Sequence, residues 1–314
     1  MFVIDGHCDT LSKALDENKS IYKNDLQFSL SNSDKRGGGI QVMSSFVDTK
    51  YLDSENGGFN RCNKILDYLY ENNICDLKDR IILNHNSLND GLKNGQTKIL
   101  LSIENGAAIS ENLENVQYFY NRGIRMMSIT WNDDNELGSG ALTRNDIGLT
   151  CMGKKYIKIL NELGIIVDVS HLSEKSFWDV IDFGCENVVA SHSNAYEICK
   201  SPRNLKDSQI KAIAKNGGIV GVCFYSDFLK KSGRTNILDV VNHIKYIKEL
   251  VGIDYVGLGS DFDGMSIEKT ANEVENIIDV NNIIKMLRRQ GFYEYEIEKI
   301  MWRNWYRVFK RMIL

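Results

Sequence analysis

The sequence predicts an α/β protein, a (β/α)8 barrel of the TIM type. Two patterns predict it. Eight short apolar runs rich in β-branched residues alternate with amphipathic stretches of helical period. The polar residues that look wrong for buried strands sit at the C-terminal ends of those runs, where such a barrel gathers its chemistry. The chain of 314 residues covers the roughly 250 that the fold needs.

In order, the runs are 2–8 (FVIDGHC), 40–47 (IQVMSSFV), 98–104 (KILLSIE) and 123–131 (GIRMMSITW), then 164–170 (GIIVDVS), 187–192 (NVVASH), 217–225 (GGIVGVCFY) and 255–261 (YVGLGSD). Between them lie three clear helical patterns. Residues 59–72 repeat apolar positions at Ile65, Leu66, Leu69 and Tyr70, and residues 153–163 at Tyr156, Ile157, Ile159 and Leu160. Residues 237–251 do so at Ile237, Val240, Val241, Ile244, Ile247 and Val251. Gly123, Gly164 and Gly217–Gly218 stand where helix C-caps would precede strands. No linker or repeat divides the chain, so 1–314 reads as one barrel domain with a helical C-terminal stretch over 279–312. A doubly wound open sheet could use the same alternation, but it would not gather residues from so many strand ends around one point.

A net charge of −4, with scattered lysines and arginines, argues against a nucleic-acid surface. The basic cluster Arg303, Arg307, Lys310 and Arg311 reads as the solvated face of a terminal helix. No apolar stretch approaches the ~20 residues that span a bilayer, and the opening MFVIDGHCDT lacks the features of a signal peptide. Seven dispersed cysteines without a C-x-x-C read as reduced thiols. A soluble cytoplasmic protein with no membrane or nucleic-acid partner is expected.

His7 and Asp9 end the first run as D-G-H-C-D, and residues two apart in an extended chain face the same side. Glu104 ends the third run, His171 the fifth, His192 the sixth and Asp261 the eighth. Singly, each has a blander explanation: a hydrogen-bonded histidine, or a helix N-cap for Asp9, Ser170 or Ser173. Together, three of five histidines and three carboxylates at one end of five strands are improbable by chance. His85, in a polar stretch, and His243, inside a helix, read as structural. Histidines and carboxylates at that rim suit zinc or a similar divalent metal. Five ligands suit two metals about 3.5–4 Å apart with one carboxylate bridging, a pair that would clamp a hydroxide derived from an acidified water.

The motifs D-G-H-C-D-T (5–10), S-I-E-N-G (102–106), S-I-T-W-N (128–132), V-S-H (169–171), S-H-S-N-A (191–195), S-P-R-N (201–204) and G-S-D-F-D-G (259–264) follow in order, one per strand end. Over essentially its whole length the chain resembles the membrane (renal) dipeptidase family, the M19 metallopeptidases with amidohydrolase-like barrels, as a soluble bacterial-type member. The resemblance implies two Zn2+ ions, the first on His7 and Asp9, the second on His171 and His192, with Glu104 bridging. It implies that Arg203 holds the C-terminal carboxylate of a dipeptide substrate. Asp261 would carry a proton from the metal-bound water to the leaving amine, and Asp263 would support the loop. Dipeptides with a C-terminal D-residue and a homodimer also belong to the family pattern.

Two positions depart from that pattern. The best-known family members carry a histidine after the fourth strand that holds the oxyanion; Trp131 stands there here, in a version that resembles the family's bacterial branch, leaving Asn132 or the metals for that task. The family's Glu-Gly-Gly reads Glu104-Asn105-Gly106, and asparagine tolerates the left-handed backbone. Two rival readings remain: another amidohydrolase reaction on a lactone, ester or amine, which would leave Arg203 without a use, and a non-catalytic metal or ligand-binding barrel, which would not need Asp261.

Overall fold

The computed structural model describes residues 1–71, 77–90 and 95–313. Its eight parallel strands are β1 (Val3–Cys8), β2 (Gly39–Phe46), β3 (Lys98–Glu104), β4 (Ile124–Ser128), β5 (Ile166–Asp168), β6 (Val188–Val189), β7 (Val220–Val222) and β8 (Val256–Leu258). They form one sheet in the order β6-β5-β4-β3-β2-β1-β8-β7. A parallel bridge between Ala190 and Val220 joins the two outer strands, with Gly221 N donating to Ala190 O at 2.8 Å. The ring therefore closes. An open doubly wound sheet is excluded.

Each expected run overlaps one strand, β2 starting one residue before its run, but several strands are shorter than their runs. Residues 217–225 yield only Val220–Val222, and 123–131 only Ile124–Ser128. The residues beyond leave the ladder and build the rim. The helix expected over 59–72 spans Gly57–Glu71, with residue 72 outside the described residues; that over 153–163 spans Cys151–Leu163; that over 237–251 is Ile237–Val251. Gly164, at φ 67°, closes the second of these in the left-handed conformation that glycine adopts without a Cβ penalty. The C-terminal stretch holds the helices Val280–Arg289, Glu294–Glu298 and Asn304–Met312. Among the described residues, no helix is long and apolar enough to cross a membrane.

The core has two layers. One cluster takes Ile4, Val42, Leu100, Met126, Ile166 and Val189 from β1 to β6 in turn, adds Ile219 before β7, and is completed by Trp305. Side chains drawn from successive strands of a ring can meet only inside it, so this is the barrel interior. The larger cluster packs the outer faces of the strands against the surrounding helices.

The C-terminal helix closes the barrel's N-terminal end. Trp305 is fully buried and donates its indole N–H to Leu258 O at 2.8 Å. Glycines make its slot: a Cβ on Gly257 would stand 2.7 Å from Trp305 Nε1, and one on Gly6 would also strike the indole. Arg307 donates to Gly217 O at 2.7 Å and Asp254 O at 2.8 Å, just before β7 and β8. The expectation of a solvated basic face therefore holds for exposed Arg303, Lys310 and Arg311 but fails for Arg307, whose guanidinium satisfies carbonyls at the strand starts. Trp305→Ala should cost about 3–5 kcal/mol, the usual penalty for emptying an aromatic site in a packed core. Urea denaturation would measure it; a loss below about 1 kcal/mol would show that the indole does not plug the barrel.

Candidate active site

All of the rim residues expected from sequence meet at the C-terminal end of the barrel, and strained backbone places several of them. His171, Asp261, Asp263 and Asn105 have φ of 72°, 64°, 68° and 77°, a region that non-glycine residues enter at a cost. Asn105 is held there by Ser128 Oγ on its N–H at 2.8 Å and by its own amide on Val47 O at 2.9 Å. Asp9 occupies the N-cap position of the helix Thr10–Asp16 but makes no capping bond with its side chain. Its carboxylate turns to the rim instead. Ser173 does cap, accepting from Ser176 N.

Glu104 lies at the centre. Its Oε2 is 3.4 Å from His7 Nε2 and its Oε1 is 2.8 Å from His171 Nε2 and 3.8 Å from His192 Nε2. His7 Nε2 also stands 3.3 Å from Asp9 Oδ2 and 3.9 Å from Asp261 Oδ1. Two sets of donors, His7–Glu104–His192 and His7–Asp9–Asp261, each fall within 4.8 Å and could hold a metal ion.

The hydrogen bonds behind the rings decide which nitrogens face inward. Asn132 Oδ1 takes the Nδ1–H of His171 at 2.8 Å. Ser191 Oγ donates to Asp168 Oδ2 at 2.5 Å and so takes the Nδ1–H of His192 at 2.7 Å. Both rings then present Nε2 lone pairs to the centre, and those atoms are 2.8 Å apart. Two lone pairs at that distance repel each other. A cation that accepts both removes the conflict, and the residues fit a metal on that ground.

The electrostatics are those of crowded, buried acids and imidazoles. Burial disfavours a charged His7, yet Glu104 and Asp9 outweigh it and raise its pKa well above the usual range. Burial pushes His171 and His192 well below theirs. Burial, then Glu104, raises Asp9 to about 6, and burial raises Asp261 well above the carboxylate range.

A supporting layer escaped the sequence reading. Asp168 Oδ1 accepts from Ser170 N at 3.0 Å and Ser191 N at 2.9 Å, while Asp5 accepts from Ser260 N at 2.7 Å and Ser260 Oγ at 2.5 Å. The same device is used twice. A buried aspartate in one strand fixes the serine that precedes a rim residue, His192 or Asp261, on the next. The signal was present as an aspartate inside each apolar run, D-G-H and D-V-S-H. Cys223 was also missed: burial pushes its thiol pKa up, and Sγ lies 3.6 Å from Asp261 Oδ2. Asp263 anchors loops as expected, accepting from Gln27 N at 3.0 Å and Thr10 Oγ1 at 2.5 Å.

A cavity of about 400 Å³ opens over these groups, lined by Asp9, Glu104, His171 and Asp261 and by Phe46, Trp131, Tyr225, Phe228 and Met265. Arg203 lies behind Phe228, one of its lining residues. The guanidinium is 5.3 Å from the ring centre of Phe228 and lines an adjoining cavity of about 300 Å³ that shares His171. It is 5% exposed, and among the described residues its Nε and Nη2 find no acceptor. A buried fork without an acceptor suits an anionic ligand. His85 is exposed and His243 is buried among structural bonds, its ring bonding Ala195 N and Leu229 O at 3.1 Å each, so neither joins the site.

A profile described as membrane dipeptidase, peptidase family M19, matches residues 1–313. The chain belongs to the membrane dipeptidase family. It is thus a metallo-dipeptidase, metal-dependent and acting on dipeptides. An uncharacterized protein in the pqqA 5′ region of Klebsiella pneumoniae is 38% identical over 220 residues, 67% of this chain and 80% of that protein. An uncharacterized dipeptidase of Schizosaccharomyces pombe is 34% identical over 225 residues, 69% of this chain but 54% of its own length. A metallo peptidase from Rhodobacter sphaeroides, solved with a phosphinate mimic of L-Ala-D-Ala, shares the fold with a TM-score of 0.89, 23% identity and 99% of each chain covered.

Proposed function

We propose that this membrane dipeptidase family member holds two divalent cations, Zn2+ in the first instance, and hydrolyses dipeptides to two amino acids. The observation that carries the reading is the division of Glu104, one oxygen towards His7 and the other towards His171. A carboxylate so placed would bridge two ions. His7 and Asp9 would hold one and His171 and His192 the other, with Asn132 and Ser191 fixing the tautomers of the latter pair. When bound, such a pair supplies a nucleophilic water at neutral pH and polarises the scissile carbonyl.

The remaining steps belong to the chain's own groups. Asp261 takes the proton of the attacking water and returns it to the leaving amine, while the Cys223 thiol holds its Oδ2. Arg203 pairs with the substrate's C-terminal carboxylate, a partner its buried fork otherwise lacks. We extend to this chain a tolerance for a C-terminal D-residue, since the Rhodobacter protein was solved with a mimic of such a dipeptide. Lactone, ester or deamination chemistry would leave Arg203 without a use.

A double cycle of wild type and Arg203→Ala against free and amidated dipeptides tests the reading. Amidation should cost the wild type about one to two orders of magnitude in kcat/KM, from a charge-assisted contact of roughly 1.5–3 kcal/mol. The Arg203 variant should lose little more on amidated substrate. Arg203→Lys should also be damaged, because a point charge cannot reproduce the fork. Strictly additive losses would mean that the two groups never meet.

A further inference from the structure

The ring order gives the cavity two unlike sides. Phe46 ends β2 and Trp131 follows β4, so the two flank Glu104 at the end of β3. Arg203 lies in the loop after β6, and Tyr225 and Phe228 follow β7, the strand across the ring from β3. Phe46 and Trp131 are half-buried and pack against each other, with ring centres 5.3 Å apart and planes at 57°. Trp131 continues to His171, with ring centres 6.1 Å apart and planes tilted by 33°. An aromatic wall thus runs from the end of β2 to a group at the metal site, with its two rings on β2 and β4 while Arg203 follows β6.

We infer that Phe46 and Trp131 form the pocket for the side chain of the dipeptide's N-terminal residue, and that they select large apolar side chains there. The inference rests on the dipeptidase reading. If Arg203 holds the carboxylate on the β6–β7 side and the scissile carbonyl stands over Glu104, a dipeptide has one residue left, and it extends towards β2 and β4. What meets it is ring surface. The Trp131 indole lines the cavity and offers it an apolar face. A phenylalanine or leucine side chain loses water against such a wall, whereas glycine gains nothing from it.

The test is kcat/KM for a series Xaa-Ala, with Xaa glycine, alanine, leucine and phenylalanine, on the zinc-loaded enzyme. Wild type should favour Phe-Ala over Gly-Ala by about 10- to 100-fold, the discrimination that an apolar pocket gives. Trp131→Ala and Phe46→Ala should collapse that ratio towards one, chiefly through KM, while an Ala-Xaa series keeps its own ratios. Trp131→Phe retains a ring and should keep most of the preference, which guards against a variant that fails to fold. A flat wild-type series with active hydrolysis overturns the pocket and leaves the dipeptidase reading standing. So does a Trp131→Ala enzyme that loses the same factor on every Xaa-Ala, because the indole would then serve the reaction and not the side chain. Failure to cleave any member of either series overturns the dipeptidase reading, and the pocket with it.

Discussion

Glu104→Gln is expected to abolish nearly all peptidase activity and to release at least one of two bound ions. The substitution keeps the shape of the side chain and removes one negative charge, so it tests charge and not packing. The oxygens of Glu104 are 3.4 Å from His7 Nε2 and 2.8 Å from His171 Nε2, and among the described residues no other carboxylate reaches both histidines. Asp9 and Asp261 stand only on the His7 side. An amide presents one acceptor oxygen and one N–H2 donor, and the donor must face one of the cations. The loss should exceed the 10–100-fold typical of partners that merely orient a ligand. Elemental analysis of purified protein, alongside hydrolysis of a dipeptide, would measure both effects. A fully active Glu104→Gln enzyme with two metals per chain would falsify the bridging role.

The barrel was legible because its pattern is local. The strands lie in short apolar runs, several of them preceded by helix-ending glycines, and each run overlapped one strand. The runs overestimated length where they carried rim residues. Cys223 and Phe224 read as strand because they are apolar, yet Cys223 turns its thiol to Asp261. The rim was legible for the opposite reason: histidines and carboxylates at the ends of apolar runs are locally out of place.

What the sequence hid depends on neighbours across the ring. Asp5 bonds Ser260, 255 residues away in sequence, and Asp168 bonds Ser191, 23 away. Neither pair has a local signature beyond one aspartate in a strand. Arg307 was misread for a related reason. A basic residue on a terminal helix is usually solvated, but here the helix ends against strand starts whose carbonyls need donors. The facing of Phe46 and Trp131 across Glu104 likewise appears only once β2, β3 and β4 lie side by side.

Asp261→Asn should retain the metals and lose about 10²–10⁴-fold in kcat, the range that a positioned acid or base contributes. The backbone argues that the variant will fold. Asp261 sits at φ 64°, and asparagine is among the few residues that accept the left-handed region readily, so the substitution adds no strain. The amide keeps an oxygen for the Cys223 thiol, which donates to Oδ2 at 3.6 Å. What disappears is the capacity to take up a proton and give it back, so KM should move little while kcat falls. The distances also frame the outcome that would count against this role. Asp261 Oδ1 is 3.9 Å from His7 Nε2 and belongs to a donor set with His7 and Asp9, close enough to touch an ion held by that pair. If it does so as a necessary ligand, Asp261→Asn will lose metal together with activity, and added Zn2+ will restore part of both. Metal content measured on the same preparation as kcat separates the two: a metal-replete, slow enzyme assigns Asp261 to proton transfer, and a metal-depleted one assigns it to binding.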